Sequence, residues 1–525
     1  MGVRTLLETQ RHEVIARYLR AMRSLGDVSL GSTALRDALR VGDTDMWMAS
    51  SLRESSLWAD PTLVDQIRSL IDDESEDSNL IPQTRVVRTR AALAWLRALT
   101  HALIRRKPPA TKADVMFVQY WPTPNSGRAL GTTGEWTSPY FGNLPDELRK
   151  QGISVGFLHL HSVGSVTAAP PNIRHAVRSV DASRHEHVLL ADYFSLRSWW
   201  RGAATWIRIC RRVPSLSRLT PELGHSSDAS TLWRWWKPKL QQSVHGSHGV
   251  RTALLTQMFD TAVTANSTTK LWVVAFEGQS WESCLVRTLE SRNVRWFPYL
   301  HTMMRPWDLR AHTFISELPL KRLAVHGPHD ASELGRLGTG LVEVEALRYQ
   351  HLGTEPSLST SSQSRTDDAG EWLVVGGADC ESSLRELKKF SDAMRLRNVN
   401  RHIVVKWHPQ CGQPVEIETE LVTLSSEPLK QLCRGASAAL MVGRAAPLDT
   451  YLAGVPSCSL EIPSGLAMSP IAEDAFHHVA VDADAAVDWM CQAESRSGFV
   501  PPIADYFVID PLLPKWKSLI EDQLR

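Results

Sequence analysis

The chain predicts an α/β protein with two doubly wound parallel sheets and a helical extension ahead of them. Three observations predict it. Apolar, β-branched runs recur at spacings that leave room for a helix between them. Several of those runs stop abruptly at a Gly or at a His-Pro pair. One polar Ser/Thr stretch, 353–370, divides the strand-bearing part in two. At 525 residues the chain also exceeds one ordinary core.

In order along the chain, residues 1–110 read as mostly helical. Within them Thr84–Arg106 is a basic amphipathic stretch (Arg85, Arg88, Arg90, Arg97, Arg105, Arg106, with Lys107 following), expected either as a solvated helix face or as a contact with anionic lipid. Residues 111–352 form the first Rossmann-like lobe, expected to serve the acceptor. Its strands read as Asp114–Tyr120, Ser154–Leu160, Leu271–Phe276, Arg295–Leu300 and Arg322–His326, with helices at Leu144–Gln151 and Leu285–Arg292. Residues 353–370 are the linker. Residues 371–525 form the second Rossmann-like lobe with C-terminal helices: a strand at Trp372–Gly377, a helix over 382–397, the strand Ile403-Val-Val-Lys-Trp-His-Pro409, a strand near Leu421–Leu424, a helix from Pro428, and the strand Ala438–Gly443. A short helix closed by Gly454 follows.

Composition narrows the function classes. With 58 basic and 57 acidic residues the formal charge is +1, which supplies no global attraction to nucleic acid. Seven cysteines lie scattered without a C-x-x-C pair, so neither a zinc site nor a disulfide framework is expected and a reducing cytoplasm is the simplest home. The opening residues lack a signal-peptide core, and no uncharged apolar run reaches membrane-spanning length. Nineteen tryptophans are bunched as Trp199-Trp200, Trp206, Trp233 and Trp235-Trp236 among Arg and Lys; they suit sugar rings, a membrane interface or packing between domains.

The chemistry concentrates at strand ends, where open α/β sheets collect ligands. His408 follows the second-lobe strand, flanked by Lys406 and by Pro409, which cannot continue a ladder. Gly443 opens a second ligand-facing loop, with Arg444 and Asp449 behind it, and Gly376 ends the strand between them. In the first lobe Glu277 ends an apolar strand, placing a carboxylate where burial raises its pKa toward a general base's range. Glu282, one helical turn on, is either the rival base or a helix cap. His301 follows the next strand, with Arg305 and Arg310 close by to recognise a carboxylate in bidentate fashion. Asp43-Thr-Asp45 has metal-like spacing but lies in the helical segment. His159, His161, His185, His187, His326 and His329 are read as structural or exposed, without carboxylate partners.

Two Rossmann-like lobes joined by a linker resemble the GT-B glycosyltransferase architecture. At finer grain the blocks 47–58, Tyr140-Phe-Gly-Asn-Leu-Pro-Asp-Glu-Leu148, Glu277-Gly-Gln-Ser-Trp-Glu282, 301–310, 344–349, Lys406-Trp-His-Pro409 and Leu448–Gly454 resemble the bacterial surface carbohydrate biosynthesis proteins. Glu277-Gly278 and His408-Pro409 are similar to the acidic-Gly and His-Pro pairs of CMP-sugar transferases of the sialyl and Kdo type. The resemblance implies a metal-independent transferase without a cofactor. It would move a CMP-activated acidic sugar onto a surface glycan or glycolipid, in the cytoplasm or at the inner face of the plasma membrane. Residues 442–446 depart from the hydroxyl-rich phosphate loop of those enzymes, leaving backbone amides and Arg444 for that task. A CMP-releasing glycerophosphotransferase with His301 as base, a nonhydrolysing sugar-nucleotide epimerase, and a non-catalytic scaffold in glycan assembly are the alternatives.

Overall fold

The computed structural model describes residues 3–30, 32–55, 63, 67, 84–104, 109–121, 136–161, 165–180, 184–213, 227–318, 320–335, 337, 340–350, 370–377, 379–408, 411, 421–443, 447–460, 469–471, 474, 476–493 and 501–525. The linker expected at 353–370 falls almost wholly outside them. The chain divides into two compact units. The larger, here the front unit, comprises 12–302, 308–348 and 512–525; the rear unit comprises 1–11, 303–307 and 349–511.

The front unit is built on a seven-stranded, wholly parallel sheet: β1 (Val115–Tyr120), β2 (Val155–Leu160), β3 (Glu186–Leu189), β4 (Leu271–Phe276), β5 (Trp296–Leu300), β6 (Leu323–Val325) and β7 (Leu341–Glu343). Their order is β7-β6-β5-β4-β1-β2-β3. The direction of winding therefore reverses between β1 and β4, the position where doubly wound sheets open a crevice at the strands' carboxyl ends. Strands covered on both faces read as unbroken apolar runs, and all six residues of β4 are buried.

The rear sheet repeats the plan with six parallel strands: β8 (Glu371–Gly376), β9 (Ile403–Lys406), β10 (Val422–Leu424), β11 (Ala436–Val442), β12 (Ser457–Leu460) and β13 (His477–Ala480), in the order β10-β9-β8-β11-β12-β13. Alternation along β8 explains its apolar run. Trp372 and Val374 pack with Leu387, Phe390 and Met490 on one face, while Leu373 and Val375 pack with Cys433 and Val455 on the other. The second reversal point lies between β8 and β11.

Helices α1 (Val3–Gly26), α2 (Met46–Glu54), α3 (Thr84–Ala102), α4 (Leu144–Lys150), α5 (Pro171–Ser179), α6 (Leu196–Arg212), α7 (Ser227–His245) and α8 (Ser247–Ala265) precede β4. Residues 12–110 are not a separate helical domain. Trp47 of α2 meets Trp236 of α7 edge-on with centroids 4.7 Å apart, both rings fully buried. Arg17 pairs with Asp228 and Arg287 with Asp45, so this segment is part of the front unit. Asp45 also accepts from the Met48 amide at 2.9 Å and caps α2, which is a structural use of the Asp43–Asp45 triplet. Among the described residues no helix is long and apolar enough to cross a membrane.

The C-terminal helix, expected with the second lobe, packs on the front sheet instead. Glu345, fully buried after β7, accepts from the amides of Lys515 and Trp516 at 2.8 and 3.0 Å. The carboxylate thereby meets the positive end of the helix Pro514–Leu524. Trp516 donates its indole N–H to the Glu345 carbonyl at 2.8 Å and lies edge-on to Tyr299. Glu345→Ala is expected to destabilise the full chain by about 2–5 kcal/mol, because one buried and one part-buried amide lose a charged acceptor. Trp516→Ala should cost about 3–5 kcal/mol. Denaturant titration measures both, and losses below about 1 kcal/mol would show a tail that merely decorates the surface.

Candidate functional site

The loop after β4 turns on Gly278, which has φ +69°, a left-handed conformation that glycine adopts without strain. A Cβ there would stand 2.6 Å from the Cβ of Arg310, so the position also requires the close approach of a helix, α10 (Leu309–Glu317). Glu282 lies in the first turn of α9 (Ser280–Ser291), fully buried. Its two carboxylate oxygens accept from the Glu277 and Gly278 amides, each at 3.0 Å. Of the two roles open to Glu282, the structure shows the cap: it ties its own helix to the strand end before it.

That tie presents Glu277 beside the reversal point, with a quarter of its side chain exposed. Burial raises its carboxyl above the usual carboxylate range against the pull of Arg310 and Arg348. Glu282 is raised more strongly, by burial first, with the neighbouring Glu277 carboxylate adding to the rise. The His301 imidazole has its Nε2 3.9 Å from the Glu277 carboxylate. Burial, reinforced by Arg348 and His326, lowers its pKa well below the ordinary value, so the contact is made by a neutral ring, and its Nδ1 has no hydrogen-bond partner among the described residues.

Three groups that sequence reasoning passed over complete the cluster. Tyr140 lies against His301 with centroids 4.2 Å apart. It is placed by Ser138, whose hydroxyl donates to buried Gln119 of β1 and accepts from the Tyr140 and Phe141 amides. Tyr120 ends β1 next to β4, and burial raises both phenols, with Glu277 and Glu282 adding to the effect. Arg348 acts on Glu277, His301 and Tyr140 alike. The available signal was position: Tyr120 closes a predicted strand, and Tyr140 and Arg348 sit inside blocks already singled out.

The arginine pair is not shared as expected. Arg310 is held by Asp308 at 3.4 Å in the front unit, while Arg305 falls in the segment assigned to the rear unit. Of the histidines read as structural, His185 does meet a carboxylate, with its Nε2 3.1 Å from Asp146. His159 and His187 stack with ring nitrogens 2.9 Å apart.

In the rear unit β9 ends at Lys406 and His408 follows, half-buried, while Pro409 and Arg444 lie outside the described residues. The Lys406 ammonium donates to the Ser426 carbonyl at 2.8 Å. Gly376 ends β8, and a Cβ there would stand 2.3 Å from the Trp407 ring. Gly443 follows β11 at φ +59°, packed so tightly that a Cβ would strike the Ser383 hydroxyl. The Gly443 amide, expected for phosphate, donates to the Glu386 carboxylate at 2.7 Å, and the Gly377 amide is used by Ser383 and by the Val442 carbonyl. The helix bearing Asp449, Leu448–Leu452, is a single turn, with Asp449 near Cys433, whose thiol is pushed up to about 12 by burial first.

Cys380 and Cys411 are joined by a disulfide, Cα atoms 5.6 Å apart, contrary to the expectation of unpaired cysteines. Thirty-one residues separate them, so no spacing motif announced the pair. Adjacent strands β8 and β9 bring their following segments together, and the bond fixes the stretch after His408 to the start of the helix Cys380–Leu396. The premise for a reducing compartment is thereby removed.

Two winding-reversed parallel sheets in one chain, each with its site-forming loops at the carboxyl edge, define the structural class: a two-unit, doubly wound α/β protein. No family model matches the sequence, and no curated protein does. Among solved structures, one described as the glycotransferase of kitacinnamycin is 13% identical, with a TM-score of 0.39, over 80% of this chain and 100% of its own. UDP-N-acetylglucosamine 2-epimerase from Rickettsia bellii is 8% identical with a TM-score of 0.42, over 78% and 95% of the two chains. UDP-GlcNAc 2-epimerase from Methanocaldococcus jannaschii is 9% identical with a TM-score of 0.41, over 78% and 98%. Likenesses this distant assign neither activity nor substrate.

Two outcomes separate support from chemistry. Glu282→Ala should destabilise the chain by about 2–5 kcal/mol, since two buried amides lose their acceptor, whereas Glu277→Gln should change stability by less than about 1 kcal/mol; denaturant titration reads the contrast. Stability should also fall on acidification. His159 and His301 are lowered well below the ordinary imidazole value, and His187 and His326 to about 3, burial being the first cause in each. Below about pH 6.5 the unfolded chain binds protons that the folded chain refuses, up to about 1.4 kcal/mol per pH unit for each shielded ring. Burial lowers His245 and His248 as well, and the raised carboxyls of Asp43, Glu277, Glu282 and Glu317 act oppositely, above the ordinary carboxylate value, so four groups oppose six. The melting temperature should therefore drop steadily from pH 7 to pH 5.

Proposed function

We propose that the protein is a metal-independent glycosyltransferase of the two-lobed GT-B type, with Glu277 as the general base for the acceptor hydroxyl. The observation that carries this reading is the half-buried Glu277 carboxyl at the carboxyl end of β4, beside the winding reversal. There burial raises its pKa and the cap from Glu282 fixes its position. A base working near neutral pH needs that elevation, and the acceptor's proton must leave as charge develops at the sugar's anomeric carbon. His301 is a poorer base, because a ring so hard to protonate has little affinity for the proton it would remove. This weighs against the glycerophosphotransferase reading. A neutral imidazole next to Tyr140 serves instead to position the acceptor through hydrogen bonds.

His408, with Lys406 and Asp449 as supporting groups, is assigned to the nucleotide half of the reaction in the rear unit. A CMP-activated acidic sugar is the donor favoured by the Glu277-Gly278 and His408-Pro409 pairs, and a surface glycan or glycolipid the acceptor. Arg310 and Arg348 are the front-unit cations suited to a carboxylate-bearing substrate. One observation favours the scaffold alternative: the Gly443 amide is already engaged by Glu386, which places negative charge where a leaving phosphate would be received.

Glu277→Gln should lower kcat by about 100- to 10,000-fold with the CMP-sugar that the wild type uses, while donor affinity changes little. Calorimetric titration with CMP, UDP, GDP and CDP tests the donor class. Tight binding of CMP alone supports the reading, tight binding of another nucleotide alone reassigns the donor, and binding of none supports the scaffold.

A further inference from the structure

We propose that α3 and α6 together form a docking face for an anionic lipid bilayer. Of the twelve large apolar side chains that stand exposed among the described residues, eight belong to α3, the two residues after it, or α6. Leu93 and Leu96 are each 60% exposed, Leu103 65% and Trp200 67%. Such clustering departs from the single scattered apolar residues of an ordinary surface.

Helical spacing collects these side chains into rows. On α6, Leu196, Trp200 and Ile207 fall on one side, and Arg197, Arg201 and Arg208 run directly beside them, all exposed. On α3, Val86, Leu93, Leu96 and Leu103 repeat the pattern with Arg90 and Arg97. Neither 84–104 nor 196–212 contains an Asp or Glu. The carboxylate that reaches this layer from beneath is Asp260 of α8, 3.8 Å from Arg201.

The two helices form one layer. Both pack on α8, and Trp95 of α3 joins them, meeting Trp199 and Trp206 of α6 at centroid distances of 5.9 and 5.8 Å. Trp199 donates its indole N–H to the Trp95 carbonyl at 3.1 Å. Gly202 allows this fit, because a Cβ there would already touch the Trp95 ring at 3.4 Å. The inner tryptophans are thus consumed in packing, which leaves the outer apolar and basic rows facing solvent.

Charge selects the occupant. A second copy docked symmetrically would set arginine rows against identical arginine rows, without carboxylates from either helix to relieve them. An anionic membrane surface satisfies both rows at once: guanidinium groups meet headgroup phosphates, while leucines and Trp200 enter the acyl boundary. The face is independent of sugar transfer, so lipid binding and catalysis fail or succeed separately.

Co-sedimentation of the full chain with vesicles of phosphatidylcholine alone, or mixed with phosphatidylglycerol, tests the proposal. Binding is expected to the mixed vesicles, to weaken as salt rises, and to be small on phosphatidylcholine. Arg197→Gln with Arg208→Gln should weaken it about 25-fold, at about fivefold per arginine. Leu93→Ser with Trp200→Ser should weaken it at least about tenfold, with an unchanged melting temperature confirming that the surface alone was altered. Equal binding of wild type and variants overturns the proposal, as does failure to bind mixed vesicles. So does a dimer, an acidic protein or an RNA that the same substitutions release.

Discussion

Everything in the front unit's site rests on one carboxylate accepting two amides. Glu282 reaches back from the first turn of α9 to the Glu277 and Gly278 N–H groups, and that contact sets where the chain leaves β4. Gly278 must be glycine for the turn and for the approach of α10, and the turn in turn presents Glu277 near both His301 and Arg310. Two carboxyls five residues apart thereby receive different work. The one that accepts two backbone amides holds the loop; the one left partly exposed is the group proposed for proton transfer.

The rear unit uses a related device. Glu386, on the helix after β8, accepts the Gly443 amide at the end of β11, so here too a helix-borne carboxylate pins a glycine loop beside the winding reversal. In the front unit the device frees a second carboxyl. In the rear unit it occupies the Gly443 amide that the sequence offered for phosphate, and the Cys380–Cys411 bond ties Cys411 to the start of the helix Cys380–Leu396. The two sheets share a topology while the chemistry at their carboxyl edges differs.

Strands buried on both faces were legible because unbroken apolar runs leave few alternatives: β4 matches its expected span residue for residue, and β1, β2, β5, β8 and β9 lie within a residue or a few of theirs. β12 and β13 escaped because Ser457-Cys-Ser-Leu and His477-His-Val-Ala carry polar side chains that tertiary partners satisfy, as Ser457 and His477 do for each other at 3.0 Å. The helix α9 begins five residues before its expected start, since Ser280–Glu282 are committed to the loop as much as to the helix. Positions at strand ends led to Glu277, His301 and His408. Contacts between distant segments could not be read that way: Tyr140 over His301, the Glu345 cap on the last helix, and the disulfide all join residues whose neighbours carry no matching pattern.

The most direct test is the titration of Glu277 itself. Infrared difference spectra of the carboxyl stretch, wild type minus Glu277→Gln, report its protonation across pH in the intact chain. An apparent pKa clearly above the ordinary glutamate value of 4.5 is expected, because burial disfavours the ionised carboxyl. A carboxyl that loses its proton at or below that value would contradict a half-buried base at the end of β4, and the proposed chemistry with it.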